Sequence, residues 1–426
     1  KKPPVVLTCR APVYCVRRIG HRHLLLAGGG GAAATGVTNQ IETLLLTMDP
    51  TATGGKIALQ AKLATQIRTD PFATMNMDII AAGPPEEGLY YIACGQDQYC
   101  KIYETTGFIV DGSQNENQLS FGFREVGKIV TDDKADGPYQ KCVAFDVSTR
   151  GSSMRLVTGG ANGHVRVWSV RDLVDHRDPT LSHKPLIDIQ AHTDAVDAVD
   201  VSPDGRYIVS VGDGVAHIWE MSLGKKVVTV PPPPQLAKGF RVRTIRFTPL
   251  GEKNIVLLAA FNQVTRTSNS LSYLVLYIFN RESSSMRPIG IQSLTKGEAI
   301  STLCLSQDGS LCGLGTMAGT VIIVETLDLK VLYTAPQTHG IFVTGVEFLN
   351  HTSRDVILPR ELALQGSLPG PAASTRATLV SLSADQTVQV HNVPYGTSNP
   401  LSLSILHISV ISLVIYFLIW MITSYI

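Results

Sequence analysis

Four consecutive glycines interrupt the first strongly apolar stretch of the sequence, HLLLAGGGGAAATGVTNQIETLLL (His23–Leu46), and a fifth, Gly36, follows before Asn39. Hairpin loops usually take two to five residues, yet here Gly28–Asn39 separates two strand-like runs. Ordering such a loop costs roughly 0.5–1 kcal/mol more per Gly than per Ala, which calls for a compensating role. Glycines admit positive φ and bring carbonyls or amides into one small volume. A phosphate cradle needs GxxxxGK[ST], but Ala32 follows Gly31 and no Lys lies between Gly31 and Asn39. A dinucleotide fingerprint needs a helix after the glycines, and Gln40–Met48 reads as a strand. Three readings stay open: carbonyls converging on a hard cation, a loop projecting into a partner, or simply a long hairpin.

Covalent chemistry has no constellation to carry it. His21 and His23 lack a third ligand and read as surface histidines. Asp97, Asp204, Asp213, Asp308 and Asp385 fall in turns, where Asp binds local backbone amides, so they read as scaffold. GxSxG is absent. The seven cysteines are an odd, scattered set without CxxC spacing, as expected of reduced, buried thiols.

The elements that must position these residues are repeats. KCVAFDVSTRGSSMRLVTGGANGHVRVWSV (Lys141–Val170) and AVDAVDVSPDGRYIVSVGDGVAHIWEM (Ala195–Met221) share alternating apolar residues, a Gly-containing turn, a strand ending in Gly, a tight turn, and a strand ending in Trp168 or Trp219. That is the WD-repeat pattern, with His192 ahead of the second unit. Weaker copies at Ala11–Met48, Thr74–Tyr103, Lys238–Asn280, Ala299–Glu325 and Gly340–Val393 bring the count to seven. The fold expected is all-β: a seven-bladed WD-repeat β-propeller over residues 1–393, closed by a short N-terminal strand at Val5–Leu7. Gly107–Gly137 reads as an insertion between the second and third blades, His351–Thr375 as a loop within the last, and the proline-rich Val230–Lys238 as a stiff connector.

Charge narrows the partners. With 36 Lys+Arg against 35 Asp+Glu the formal charge is +1, so no basic excess exists for a phosphate backbone and no nucleic acid is expected as partner. No charged residue follows Asp385. A helix over Ile405–Ile426 would be about 33 Å long, enough for a hydrocarbon core of about 30 Å. A transmembrane helix is therefore expected at 401–426, after a short linker at 394–400. The amino terminus carries no run resembling a signal-peptide core, so the propeller is expected to stay in the cytosol.

The glycine loop LLLAGGGGAAATGVTN (Leu24–Asn39), ATMNMDIIAAG (Ala73–Gly83), GGANGHVRVW in the third unit and THGIFVTGVEFL (Thr338–Leu349) together resemble the prolactin regulatory element-binding family. Its members are the animal WD-repeat guanine nucleotide exchange factors for Sar-type GTPases, which start COPII coat assembly at the endoplasmic reticulum. The resemblance implies a non-enzymatic exchange factor on a single-pass type II anchor in that membrane. It implies that Gly28, Gly29, Gly30, Gly31, Thr35, Gly36, Val37, Thr38 and Asn39 contact the GTPase. It also implies a potassium ion held by backbone oxygens within Gly28–Gly31 and Gly36, with Asn39 assisting nucleotide release. Asn39 stands where the loop re-enters a strand, so its backbone is expected to be fixed and its side chain free to face the partner. A membrane-anchored scaffold without exchange activity is the alternative.

Overall fold

The computed structural model describes residues 2–33, 36–48, 59–84, 87–110, 119–175, 183–251, 254–353, 368–396 and 420. Among them lie seven four-stranded antiparallel sheets, the blades of a propeller. Six are contiguous in sequence: blade 1 runs from Val13–Ile19 through His23–Gly28 and Gln40–Met48 to Leu59–Arg68, and blades 2 to 6 start at Asn76, Gln140, Val196, Phe240 and Ile300. The seventh joins Val343–Phe348, Ala377–Ser383 and Thr387–Val393 to the N-terminal strand Val5–Thr8, which pairs with Thr387–Val393 and closes the ring where expected.

The alternation of the repeats explains the packing. Both faces of each sheet are apolar toward their neighbours, and seven buried clusters fill the seven gaps between successive blades. Trp168 and Trp219 are buried, and their indole N–H groups donate to Thr158 Oγ1 at 2.9 Å and Ser210 Oγ at 2.8 Å. The blades are also stitched by carboxylates on the inner strands: Asp78 of blade 2 accepts the Phe145 N–H of blade 3 at 2.7 Å, and Asp200 of blade 4 accepts the Phe247 N–H of blade 5 at 2.8 Å. Burial pushes the Asp200 carboxyl up to about 6, with Arg246 opposing the shift.

Two expectations are corrected. Residues 107–137 are not an insertion between blades, because Leu119–Val130 is the outer strand of blade 2 and pairs with Tyr99–Val110. Its charged positions, which gave it a loop-like look, pair across the sheet: Arg124 with Glu104 and Lys101 with Glu125. His23 is fully buried, edge-on to Phe121 at 4.8 Å, because blade 2 covers it. The turn-aspartate reading holds for Asp204, Asp308 and Asp385, which accept the N–H groups of Arg206 at 3.2 Å, Ser310 at 3.1 Å and Thr387 at 2.9 Å, whereas Asp213 accepts the more distant Thr193 N–H at 2.8 Å and Asp194 N–H at 3.1 Å from the incoming link. All seven cysteines are free, and six are buried. The proline-rich connector packs against the core, with Leu236 buried and Pro231 O accepting the Tyr277 hydroxyl at 3.0 Å.

No helix among the described residues is long and apolar enough to cross a membrane. The apolar tail 401–426 lies outside the described residues except for Trp420, as do 354–367 of the last blade's loop.

Candidate functional site

Connections in a four-stranded antiparallel blade alternate between the two faces of the ring. The glycine loop joins the second and third strands of blade 1, so it emerges on the face that also carries the links from each blade to the next. Equivalent connections elsewhere are shorter, ranging from Asp213–Gly214 in blade 4, between Tyr207–Gly212 and Val215–Glu220, to residues 264–270 in blade 5.

The root of the loop is tightly built. Gly28 pairs with Gln40, and a Cβ on Gly28 would stand 2.0 Å from Pro12 O. Gly29 donates its N–H to Pro12 O at 3.0 Å and adopts φ +138°; a Cβ there would stand 2.2 Å from Asn39 Oδ1. Gly31 and Gly36 are glycine for a different reason: their φ values of +72° and +78° are left-handed, while the space around them is open. Beneath the root, the Gln40 amide donates to Glu42 Oε1 at 2.6 Å, and burial raises the Glu42 carboxyl's pKa against the opposing pull of Arg10.

Asn39 is the hub, and the structure corrects its expected orientation. Its residue is only 2% exposed. Oδ1 accepts the Gly31 N–H at 2.8 Å, and Nδ2 donates to Gly31 O at 3.1 Å, Asp70 Oδ1 at 3.0 Å and Pro71 O at 3.0 Å. Its backbone N–H reaches Asp70 Oδ1 at 3.3 Å, and its carbonyl accepts the Thr69 N–H at 2.9 Å. The amide therefore faces inward, because the loop's own polar groups and the link between blades 1 and 2 need partners once buried. Pro12, Asp70 and Pro71 were missed from the sequence; the Asp-Pro pair marks a turn but does not reveal which loop it supports.

What the loop offers outward is different. Ala32, Ala33, Gly36, Val37 and Thr38 are exposed, while Gly28 and Gly29 are buried and Gly30 and Gly31 half-buried. Thr35 lies outside the described residues. The result is a small, mostly apolar tip on a root fixed by hydrogen bonds.

The WD40 description "WD domain, G-beta repeat" matches residues 183–220, which cover blade 4 through its third strand. The chain is similar to the guanine nucleotide-exchange factor SEC12 of Mus musculus, 27% identical over 431 residues covering 93% of this chain and 92% of the relative. The Rattus norvegicus SEC12 is 26% identical with the same coverage. Protein HIR1 of Eremothecium gossypii is 38% identical over 88 residues, but that stretch is 18% of this chain and 10% of HIR1, as expected where repeat units alone are shared. The SEC12 similarity instead extends over 93% of the chain, far more than a repeat unit could supply, so the chain, a β-propeller, is similar to the SEC12 exchange factors along nearly its whole length.

Proposed function

We propose that the chain is a guanine nucleotide-exchange factor that promotes GDP release from a Sar-type small GTPase at the endoplasmic reticulum, initiating COPII coat assembly. The observation that carries this reading is the similarity to SEC12 exchange factors over 93% of the chain, combined with a glycine-rich loop that is longer than its counterpart in each of the other six blades. The tail 401–426 serves as a single-pass type II anchor, keeping the propeller on the cytosolic side.

Small GTPases hold nucleotide with nM to pM affinity, about 12–16 kcal/mol. Release is accelerated when a protein binds the nucleotide-free state better than the loaded one, and this needs no covalent step. The exposed tip at Ala32–Ala33 and Gly36–Thr38 is the part that enters the partner. Asn39 acts as a positioning residue: holding Gly31 from both sides, it removes the entropy that the loop would lose on binding.

The donor set fits the potassium ion implied by the family resemblance. The loop offers neutral carbonyl oxygens, and no group of three His, Cys, Asp or Glu suited to a metal lies among the described residues. Carbonyls within Gly28–Gly31 and Gly36 would hold it, and its charge would further stiffen the turn. Release of labelled GDP from a purified Sar-type GTPase, followed with and without the protein, tests the reading; an unchanged rate would leave only the scaffold.

A further inference from the structure

We propose that Met317, Ile341 and Phe342 form a second, apolar anchor for the same small GTPase, so that the partner spans blades 6, 7 and 1 rather than touching the glycine loop alone. This inference rests on the exchange reading above. The three residues are 43%, 43% and 37% exposed.

They lie on the loop's face and connect to it through a short chain of contacts. Thr338 and His339 donate their N–H groups to Gly319 O at 3.0 and 3.1 Å, tying the turn bearing Met317 to the link bearing Ile341 and Phe342. Thr344 Oγ1 donates to Val13 O at 2.8 Å, and the adjacent Pro12 O receives the Gly29 N–H.

Comparison between blades shows that the fold does not require these side chains. His339-Gly340-Ile341-Phe342-Val343 enters blade 7 as His192-Thr193-Asp194-Ala195-Val196 enters blade 4. In both, an Asp accepts the N–H after the His, Asp385 from Gly340 at 2.8 Å and Asp213 from Thr193 at 2.8 Å. Blade 4 therefore makes the same turn with Asp194 and Ala195. Likewise Met317 N–H donates to Ala299 O as Ala161 N–H donates to Tyr139 O, so an alanine suffices there in blade 3. The segment is also fixed from below, with Ser383 Oγ donating to Phe342 O at 2.8 Å. Large apolar groups, each more than a third exposed, thus stand on a backbone fixed by hydrogen bonds where small or polar ones would satisfy the fold.

Two considerations select the occupant. A specific interface buries about 1,200–2,000 Å² in total, far more than one small loop tip supplies, so a protein held by that tip must cover neighbouring parts of the face. A lipid surface is the poorer fit, because Thr387–Val393 starts at this face and ends, opposite Ala377, at the other one, where the chain departs toward its tail.

The test uses the full-length protein in lipid nanodiscs, with GDP release from a Sar-type GTPase measured against exchange-factor concentration. The double variant Ile341→Ser, Phe342→Ser should raise the half-saturating concentration roughly tenfold or more, the scale of a central anchor, and leave the limiting rate within about twofold. Met317→Ser should shift it the same way by less. Leu223→Ser, 68% exposed in the turn between the last two strands of blade 4 on the opposite face, should change nothing. A photo-crosslinking residue at position 341 of the otherwise unaltered protein should capture the nucleotide-free GTPase, which keeps the test independent of the variants' folding. Unaltered half-saturation, or no crosslink, with a wild type that does release GDP overturns the anchor alone. A wild type that releases none overturns the exchange reading and the anchor with it. Loss of self-association or of lipid binding in the double variant, with half-saturation unmoved, would assign the patch to a second copy or to the bilayer.

Discussion

His391 occupies in blade 7 the place that Trp219 occupies in blade 4. Both pair with the residue two before a buried serine, and both bond that serine's hydroxyl: Trp219 Nε1 to Ser210 Oγ at 2.8 Å, His391 Nε2 to Ser381 Oγ at 2.7 Å. His192 and His339 complete the two networks, each 2.7–2.8 Å from the serine and close to Asp213 or Asp385. Blade 7 thus has a titratable group where an indole would not titrate.

Acid sensitivity follows from that replacement. Burial, aided by His339, lowers His391 to about 3, and burial lowers His192 to about 4. The unfolded chain binds these protons below about pH 6.5 while the folded one does not, so stability contributed by both groups is present above 6.5 and lost as pH falls toward 4 and 3. Asp200 works the other way, since its raised value makes the folded state gain stability as pH falls through about 6. His391→Gln keeps a hydrogen-bonding amide and removes one titration; denaturant unfolding from pH 7 to 4.5 should then show a shallower loss of stability than in the wild type. Parallel pH curves would show that His391 is not the source.

Asn39→Ala should harm both structure and exchange, contrary to what its sequence position suggests. It deletes four side-chain hydrogen bonds and leaves the Asp70 carboxylate and the Gly31 N–H short of a partner. A loss of about 2–4 kcal/mol is expected if the root stays buried, with less if water enters. Hydrogen exchange at Gly31 should rise and GDP release should fall together; loss of exchange activity with full protection at Gly31 would instead point to direct contact by the amide.

The glycines should separate by mechanism. Gly29→Ala places a Cβ 2.2 Å from Asn39 Oδ1 and must displace the hub, so it should cost several times more in GDP-release rate than Gly36→Ala. At Gly36 the space is open and the penalty is the left-handed φ, about 1 kcal/mol. Equal effects in melting and exchange assays would mean that the tip, not the root, governs activity.

Replacing K⁺ by Li⁺ should slow GDP release if carbonyls of the loop hold the ion, because a ring sized for the larger ion cannot contract without strain. Rates measured across the alkali series on a fixed GTPase check this. A flat series would leave the loop ordered by Asn39 and Pro12 alone.

The propeller could be read from the sequence because its determinants are local: the Gly turn, the alternating strands and the closing Trp all fall within about thirty residues in the units ending at Trp168 and Trp219. Leu119–Val130 was unreadable for the opposite reason. Its buried residues, Phe121, Val126 and Ile129, are irregularly spaced, and its Arg124 and Glu125 look like loop residues until Glu104 and Lys101 are placed beside them. The same limit applied at the site. The glycines and Asn39 stand out by type, but the direction of the Asn39 amide depends on Asp70 and Pro71, about thirty residues later and across a blade boundary. His23 was misread likewise, its cover being Phe108 and Phe121 of the next blade.

The ring has a single seam among its described blades, the pairing of Val5–Thr8 with Thr387–Val393, and the chain toward the tail leaves from that same strand. A pull along the tail therefore acts on Thr387–Val393 parallel to its own axis. Its hydrogen bonds to Val5–Thr8 on one side and to Ala377–Ser383 on the other are loaded in shear, so they must fail together rather than unzip one by one. In mechanical terms the chain leaves the propeller at its clasp, and tension along it meets the arrangement of strands that resists it best.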